Sequence, residues 1–245
     1  MRRFILSIAL AALSISANAD HHSAEGPRLA EIYACTLNQG VSAADVVALG
    51  SGEFRQFAES HELQMNSFLW EAVAVTPPLD EPDVRWVNYF PDWKHYYQAN
   101  DAWLANGTSI AKKIDSMLTC NKPFFTSVHQ AGATPPRAEI KPLYVRVCNL
   151  KEGKTIADAL SYRKAVNAIQ NEEIDGTVGS ALLTPGFGVT GIDYAAMVTG
   201  TQTDMAAVLD NSRTMATMKK LEDAGHGGPA ECSVNLHRSH LMVSQ

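Results

Sequence analysis

After its first 19 residues this sequence has no apolar run approaching the ~20 residues that a membrane-spanning helix needs. Cationic charge is also scarce, with 20 Lys and Arg against 26 Asp and Glu. Sequence-independent binding to nucleic acid or to an anionic membrane needs clustered cations, so neither partner is expected. No Cys-x-x-Cys, Gly-x-Ser-x-Gly or His-Glu-x-x-His occurs. The usual signatures of dithiol redox, serine hydrolase and zinc protease chemistry are therefore missing. Charged residues make up only 19% and hydrophobic ones 46%, a balance too apolar for a disordered chain and sufficient for a substantial core. The 245 residues suit one large domain or two small ones.

What is present begins with a leader pattern over residues 1–19. Arg2 and Arg3 form a positive start, residues 4–15 an apolar stretch, and Ala17-Asn18-Ala19 a small-x-small cleavage site. Removal takes two of the cations and shifts the net charge from −6 to near −8. The mature chain is expected to be exported and soluble, in a periplasm or outside the cell, with residues 20–30 a flexible polar tail. Cleavage after Ala19 would leave Asp20-His21-His22 at the start. The α-amine of Asp20, two backbone amides and the His22 imidazole offer the planar nitrogen set that suits Cu(II) or Ni(II).

The rest of the chain is organised around a motif that occurs twice. Tyr33-Ala-Cys-Thr-Leu-Asn-Gln-Gly40 and Arg146-Val-Cys-Asn-Leu-Lys-Glu-Gly153 share Cys-x-Leu-x-x-Gly. Each is a β-branched run ending in a glycine turn, with a helix-like segment after it. Residues 32–37 read as a strand, and Ser42 with Asp45 forms a box-like helix start. Residues 68–75 and 84–90 read as a hairpin. A helical pattern from 91 to about 118 is interrupted at Asn106-Gly107, and residues 124–129 form a last strand. The second half repeats this order: strand 143–150, helix 155–173, hairpin 178–184 and 192–199, helix 203–224, strand 232–243. Cys35 and Cys148 lie 113 apart, Cys120 and Cys232 112 apart, and Trp86 and Tyr194 108 apart. With Thr76-Pro77 and Thr184-Pro185 108 apart and Asn100 and Asn211 111 apart, five matches in one order predict an internal duplication. Residues 31–129 form one β-α-β-β-α-β unit, 130–142 a proline-rich linker, and 143–245 a second unit.

Four cysteines in an exported chain are read first as disulfides, and four allow three connectivities. In a ferredoxin-like unit of this element order the first and last strands are antiparallel neighbours. Cys35 and Cys148 come late in their first strands, and Cys120 and Cys232 are placed at the start of the last ones. The expected pairs are Cys35–Cys120 and Cys148–Cys232, each closing about 85 residues and worth up to roughly 4 kcal/mol on the chain-entropy model.

Gly186-Phe-Gly188-Val-Thr-Gly191 matches G-x-G-x-x-G, but a strand follows where a dinucleotide site needs a helix, so a hairpin turn is expected. Gly153-Lys154-Thr155 lacks the earlier glycine of a P-loop. Ser233, Asn235, His237 and Ser239 alternate with Val234 and Leu236 and share a strand face. Phe125, Ser127 and His129 hold a matching place in the first half. His129 and His237 are the candidates for proton transfer or ligation. Arg85, Arg146, Asn235, Trp86 and Tyr194 are the candidates for ligand binding. The plainer alternative is a terminal edge strand showing polar residues to water. The four tryptophans, all in the first half, read more simply as core than as a ligand platform.

The repeated β-α-β-β-α-β order resembles the dimeric α/β-barrel superfamily in a single-chain tandem form. It is also similar to exported bacterial proteins of unassigned function. The resemblance implies an α+β fold in which two tandem ferredoxin-like repeats pack sheet to sheet as a pseudo-dimeric α/β barrel around a pocket. It also implies that a monomer can be complete, since the halves pair within one chain. The superfamily includes cofactor-free monooxygenases and haem-dependent enzymes, and a fold does not choose among activities. The leading expectation is a small, mostly apolar ligand between the two halves. An oxidative enzyme using the same pocket and an interaction module with a filled core are the alternatives, and the cofactor stays open. If the tail begins at Asp20, one equivalent of Cu(II) should give the mature protein a visible d–d band. A mature N-terminus other than Asp20, or no band, would contradict the site.

Overall fold

The computed structural model describes residues 26–76 and 83–244. The leader, Asp20, His22 and the prolines at 77 and 78 lie outside the described residues. The first half runs β1 (Arg28–Leu37), α1 (Ala43–Leu49), a π-helical turn (Gly50–Phe54), α2 (Arg55–Ser60), β2 (Asn66–Ala74) and β3 (Val84–Phe90). It continues through α3 (Trp93–Asn106), α4 (Thr108–Met117), β4 (Leu118–Cys120) and β5 (Phe124–Gln130). The second half runs β6 (Ile140–Leu150), α5 (Ile156–Glu172), β7 (Gly179–Pro185), β8 (Tyr194–Thr199), α6 (Gln202–Arg213), α7 (Ala216–Asp223) and β9 (Ala230–Val243).

The repeated motif has a physical cause. Gly40 and Gly153 take φ of +82° and +74°, a left-handed conformation that a side chain resists. The helices that follow start alike. Ser42 and Asp45 form a reciprocal capping box on α1, and Thr155 and Asp158 form one on α5. Each satisfies two otherwise orphaned backbone donors and contributes about 1 kcal/mol.

In the first half the strands pair in the order β5-β1-β3-β2, and in the second β9-β6-β8-β7. β2 then pairs antiparallel with β9, and β5 with β7. The eight strands thereby close into one antiparallel barrel. The sheets face each other across its interior and are also joined at both edges, a closure that leaves those strands no free ladder. The first seam carries Glu71 on β2, which accepts from Arg238 Nη1 at 2.9 Å and lies 2.9 Å from His240 Nε2, both on β9. Arg55 Nε donates to the Met242 carbonyl at 2.8 Å, and any Cβ at Gly50 would collide with the Met242 side chain. The helix can rest on β9 only because residue 50 is glycine.

Alternation divides the side chains between inside and outside. Ala30, Ile32, Trp70, Val87, Val128, Leu143, Val145, Val147, Leu183 and Met197 pack together in the barrel, drawn from both halves. Outside it, Leu29, Phe54, Phe57, Trp86, Phe90, Ile110 and Met242 lie in a layer between the first-half strands and helices. Smaller clusters around Leu182, Tyr194, Met205 and Val208 do the same in the second half.

Both disulfides are present as expected, Cys35–Cys120 and Cys148–Cys232. Cys120 is not at the start of the last long strand, however. It ends β4, a three-residue strand on Cys35–Leu37, and 121–123 separate it from β5. Pro123 lacks a backbone donor and ends that ladder. The helix expected over 203–224 is two helices, parted at Met215 with φ +61°. No glycine or proline marks that break. The break at Gly107 falls where Asn106-Gly107 placed it. The 186–191 glycines join β7 to β8, as the hairpin reading requires. β9 is not an edge strand: it pairs on one side with β2 and on the other with β6.

Candidate functional site

The inward positions of β9, in order, are Ser233, Asn235, His237 and Ser239, set by their register against Val147, Val145, Leu143 and Lys141. Asn235 and His237 are buried. Arg85 enters the same interior from β3 and is also buried, with Nη1 3.4 Å from His237 Nε2. A guanidinium can only donate, so Nε2 accepts and the imidazole proton sits on Nδ1. That Nδ1 has no partner, and neither does Asn235 Nδ2. Asn235 Oδ1 accepts from the Thr76 backbone N–H at 2.8 Å. Burial, and then the Arg85 charge, push the His237 pKa down to about 4.

Above this layer one end of the barrel opens into a cavity of about 270 Å³. Trp70 and Ser239 form its floor, and Phe68, Tyr89 and Met197 its apolar walls. Arg28, Arg137 and Lys141 also line it, and among the described residues no carboxylate does. Residues 133–135 and 137–138 of the connection between β5 and β6 close one side, so the expected linker is part of the site. That connection is shorter than 130–142, since β5 extends to Gln130 and β6 begins at Ile140. It packs closely because Gly179 has no Cβ to strike Pro135.

The other sequence candidates do not converge here. His129 faces outward, with Nε2 3.1 Å from Thr184 Oγ1 across the β5–β7 seam, and burial lowers its pKa. His129 and His237 thus lie on opposite faces of the sheet. Arg146 and Tyr194 point into the outer layer of the second half, where Arg146 Nη2 donates to the Tyr144 hydroxyl at 3.2 Å. Trp86 is on the face opposite Arg85 and donates from Nε1 to Asn88 Oδ1 at 3.0 Å. It lines a second cavity of about 250 Å³ between sheet and helices of the first half, with Glu31, Tyr33, Tyr96 and Trp103. Sequence reasoning missed Arg28, Lys141 and Glu31. The tail expected over 20–30 and the linker over 130–142 hid Arg28 and Lys141; with β1 starting at Arg28 and β6 at Ile140, alternation groups Lys141 with Leu143, Arg28 with Ala30 and Glu31 with Tyr33.

Among the described residues neither cavity has a histidine in its lining, and the one cysteine, Cys120 of the second cavity, is held in the disulfide with Cys35, so neither fits a haem held by an imidazole or a thiolate. Among the described residues no group of three His, Cys, Asp or Glu could hold a metal ion. The chemistry available in the barrel is anion binding at the rim and hydrogen-bond donation from the His237 Nδ1–H.

No family model matches this chain, and no curated protein does. Solved structures do resemble it. A candidate monooxygenase from Fusobacterium nucleatum is 12% identical, with 89% of this chain and 93% of that one covered and a TM-score of 0.54. A chlorite dismutase variant from Candidatus Nitrospira defluvii is 8% identical, with 87% and 92% covered and a TM-score of 0.51. Both belong to the dimeric α/β-barrel superfamily, and at these identities the likeness is one of fold.

His237 also sets a pH dependence. A neutral histidine whose folded pKa lies below its unfolded one contributes stability above about pH 6.5. That contribution is lost as pH falls toward about 4. The expected loss is at most about 3 kcal/mol. Denaturant unfolding across this range should show a clearly shallower decline for His237→Gln than for the parent. Parallel curves would contradict the buried, neutral imidazole.

Proposed function

We propose that the chain is an exported protein of two tandem ferredoxin-like halves, closed into a pseudo-dimeric barrel that binds a small ligand in the cavity at its mouth. The ligand has an apolar body and an anionic head. One observation carries this reading: both halves line the cavity, and its aromatic walls meet Arg28, Arg137 and Lys141 with no carboxylate among the described lining residues. Desolvation beside Arg137 lowers the Lys141 pKa, a strain that an incoming anion would relieve. A volume of about 270 Å³ sits just below the usual range for drug-sized ligands and suits a molecule of roughly ten heavy atoms. The open space also favours a ligand over a filled interaction module. Two disulfides support an oxidising compartment. Barrel closure within one chain supports a monomer.

A second reading, a cofactor-free oxidative enzyme, is favoured by the neutral His237 one layer below the cavity floor, whose Nδ1–H is unpartnered. That N–H could donate a hydrogen bond to, and polarise, an oxygen of a ligand that reaches past Trp70. Fold likeness to a candidate monooxygenase agrees with this reading but does not carry it.

Calorimetric titration with 3-phenylpropionate should show binding that weakens as salt rises. The neutral analogue 3-phenylpropanol should bind less well. Lys141→Met and Arg28→Met should each weaken the anion roughly three- to tenfold. Equal affinity for anion and alcohol, or unchanged affinity in both variants, would contradict the site.

A further inference from the structure

The second cavity has the opposite chemistry. Its floor is the outer face of β1 and β3, its roof the helices α2, α3 and α4. Glu31 lies at the floor and is 6% exposed. Its carboxylate accepts from the Tyr33 hydroxyl at 2.9 Å and from Asn88 Nδ2 at 3.0 Å. Asn88 is itself held by Ser67 Oγ at 2.8 Å and by the Trp86 indole N–H. The carboxylate therefore meets two neutral donors, and among the described residues no Lys, Arg or His lines the cavity. A carboxylate has about four acceptor sites, and burying one beside neutral donors alone is costly. Burial accordingly pushes the Glu31 carboxyl up, against both hydrogen bonds. Aromatic rings make up much of the remaining wall: Trp86, Trp103, Tyr96, Phe54 and Phe57. Ring faces attract cations most strongly where water is excluded.

The same layer in the second half shows how this fold seats a cation. Counted back from the disulfide cysteines, Tyr144 stands where Glu31 does and Arg146 where Tyr33 does. There the chain supplies the charge itself. The Arg146 guanidinium lies 5.4 Å from the Tyr144 ring centre. Arg163 of α5 is buried nearby and donates to Gln170 Oε1 at 2.7 Å. The first half has the acid and the rings without a cation of its own.

We propose that the first-half cavity binds a small organic ammonium ion, its charge seated on Glu31 and its apolar body against Trp86 and Trp103. The mouth fits such a ligand, since Asn100 and Asp115 are the polar side chains at its edge and neither is cationic. This site is separate from the barrel mouth and does not depend on the reading of that cavity.

The test is titration of the whole chain with 2-phenylethylammonium, its neutral counterpart 3-phenylpropanol and the anion 3-phenylpropionate, followed by calorimetry and tryptophan fluorescence. The ammonium ion should bind at least about tenfold tighter to the parent than to Glu31→Gln. Trp103→Leu, which leaves the Glu31 hydrogen bonds in place, should also weaken it. The Lys141→Met change at the barrel mouth should leave it unaltered. The proposal is overturned if the parent binds the alcohol as well as the ammonium ion, or binds no ammonium ion. It is also overturned if Trp103→Leu, or a folded Glu31→Gln, binds as the parent does.

Discussion

The structure depends on how two four-stranded sheets dispose of their edges. Each half alone would leave β2 and β5, or β7 and β9, with a row of unpaired backbone groups. Pairing β2 with β9 and β5 with β7 removes all four edges at once and makes the interior common property of both halves. An eight-stranded barrel is only wide enough to be filled by side chains. That is why its middle is packed by Ile32, Trp70, Leu143 and Leu183, and why open space is confined to an end. At that end Gly179 and Ala181 contribute little volume, and the connection between the halves completes the wall.

The same alternation separates two chemistries by the thickness of one sheet. Inward positions bring Arg28, Lys141 and Arg85 to the barrel, and outward positions of β1 bring Glu31 and Tyr33 beneath the first-half helices. The halves keep the strand order, the glycine turns and the capping boxes while the residues in their outer layers diverge. Glu31 and Tyr33 stand opposite a cavity in one half, whereas Tyr144 and Arg146 with Arg163 fill the corresponding layer in the other. Burial there lowers even the Arg163 guanidinium to about 10. A single scaffold thus carries two cavities whose described linings hold charge of opposite sign.

Much of this was legible in the sequence because it rests on local rules. The Gly40 and Gly153 turns, the Ser42 and Thr155 starts and the Gly107 break are set by backbone sterics within a few residues. Cysteine pairing followed from element order. The placement of His237 and Asn235 on one face with Ser233 and Ser239 was readable from alternation. Which face that is was not readable, because it depends on partners far along the chain. The edge-strand reading of β9 failed for this reason: β2, its neighbour, lies more than 160 residues away in sequence. His129 and His237 looked equivalent by position in their halves, yet the two strands present opposite faces at those residues. Met215 broke a helix with no glycine or proline to announce it.

Native-state hydrogen exchange of the seam strands tests closure of the barrel most directly. Amides pairing β2 with β9 and β5 with β7 should exchange only through global unfolding, with the same free energy as those pairing β1 with β3 and β6 with β8. Seam amides that open at a much lower free energy than the ladders within each half would contradict a barrel held shut by those pairings.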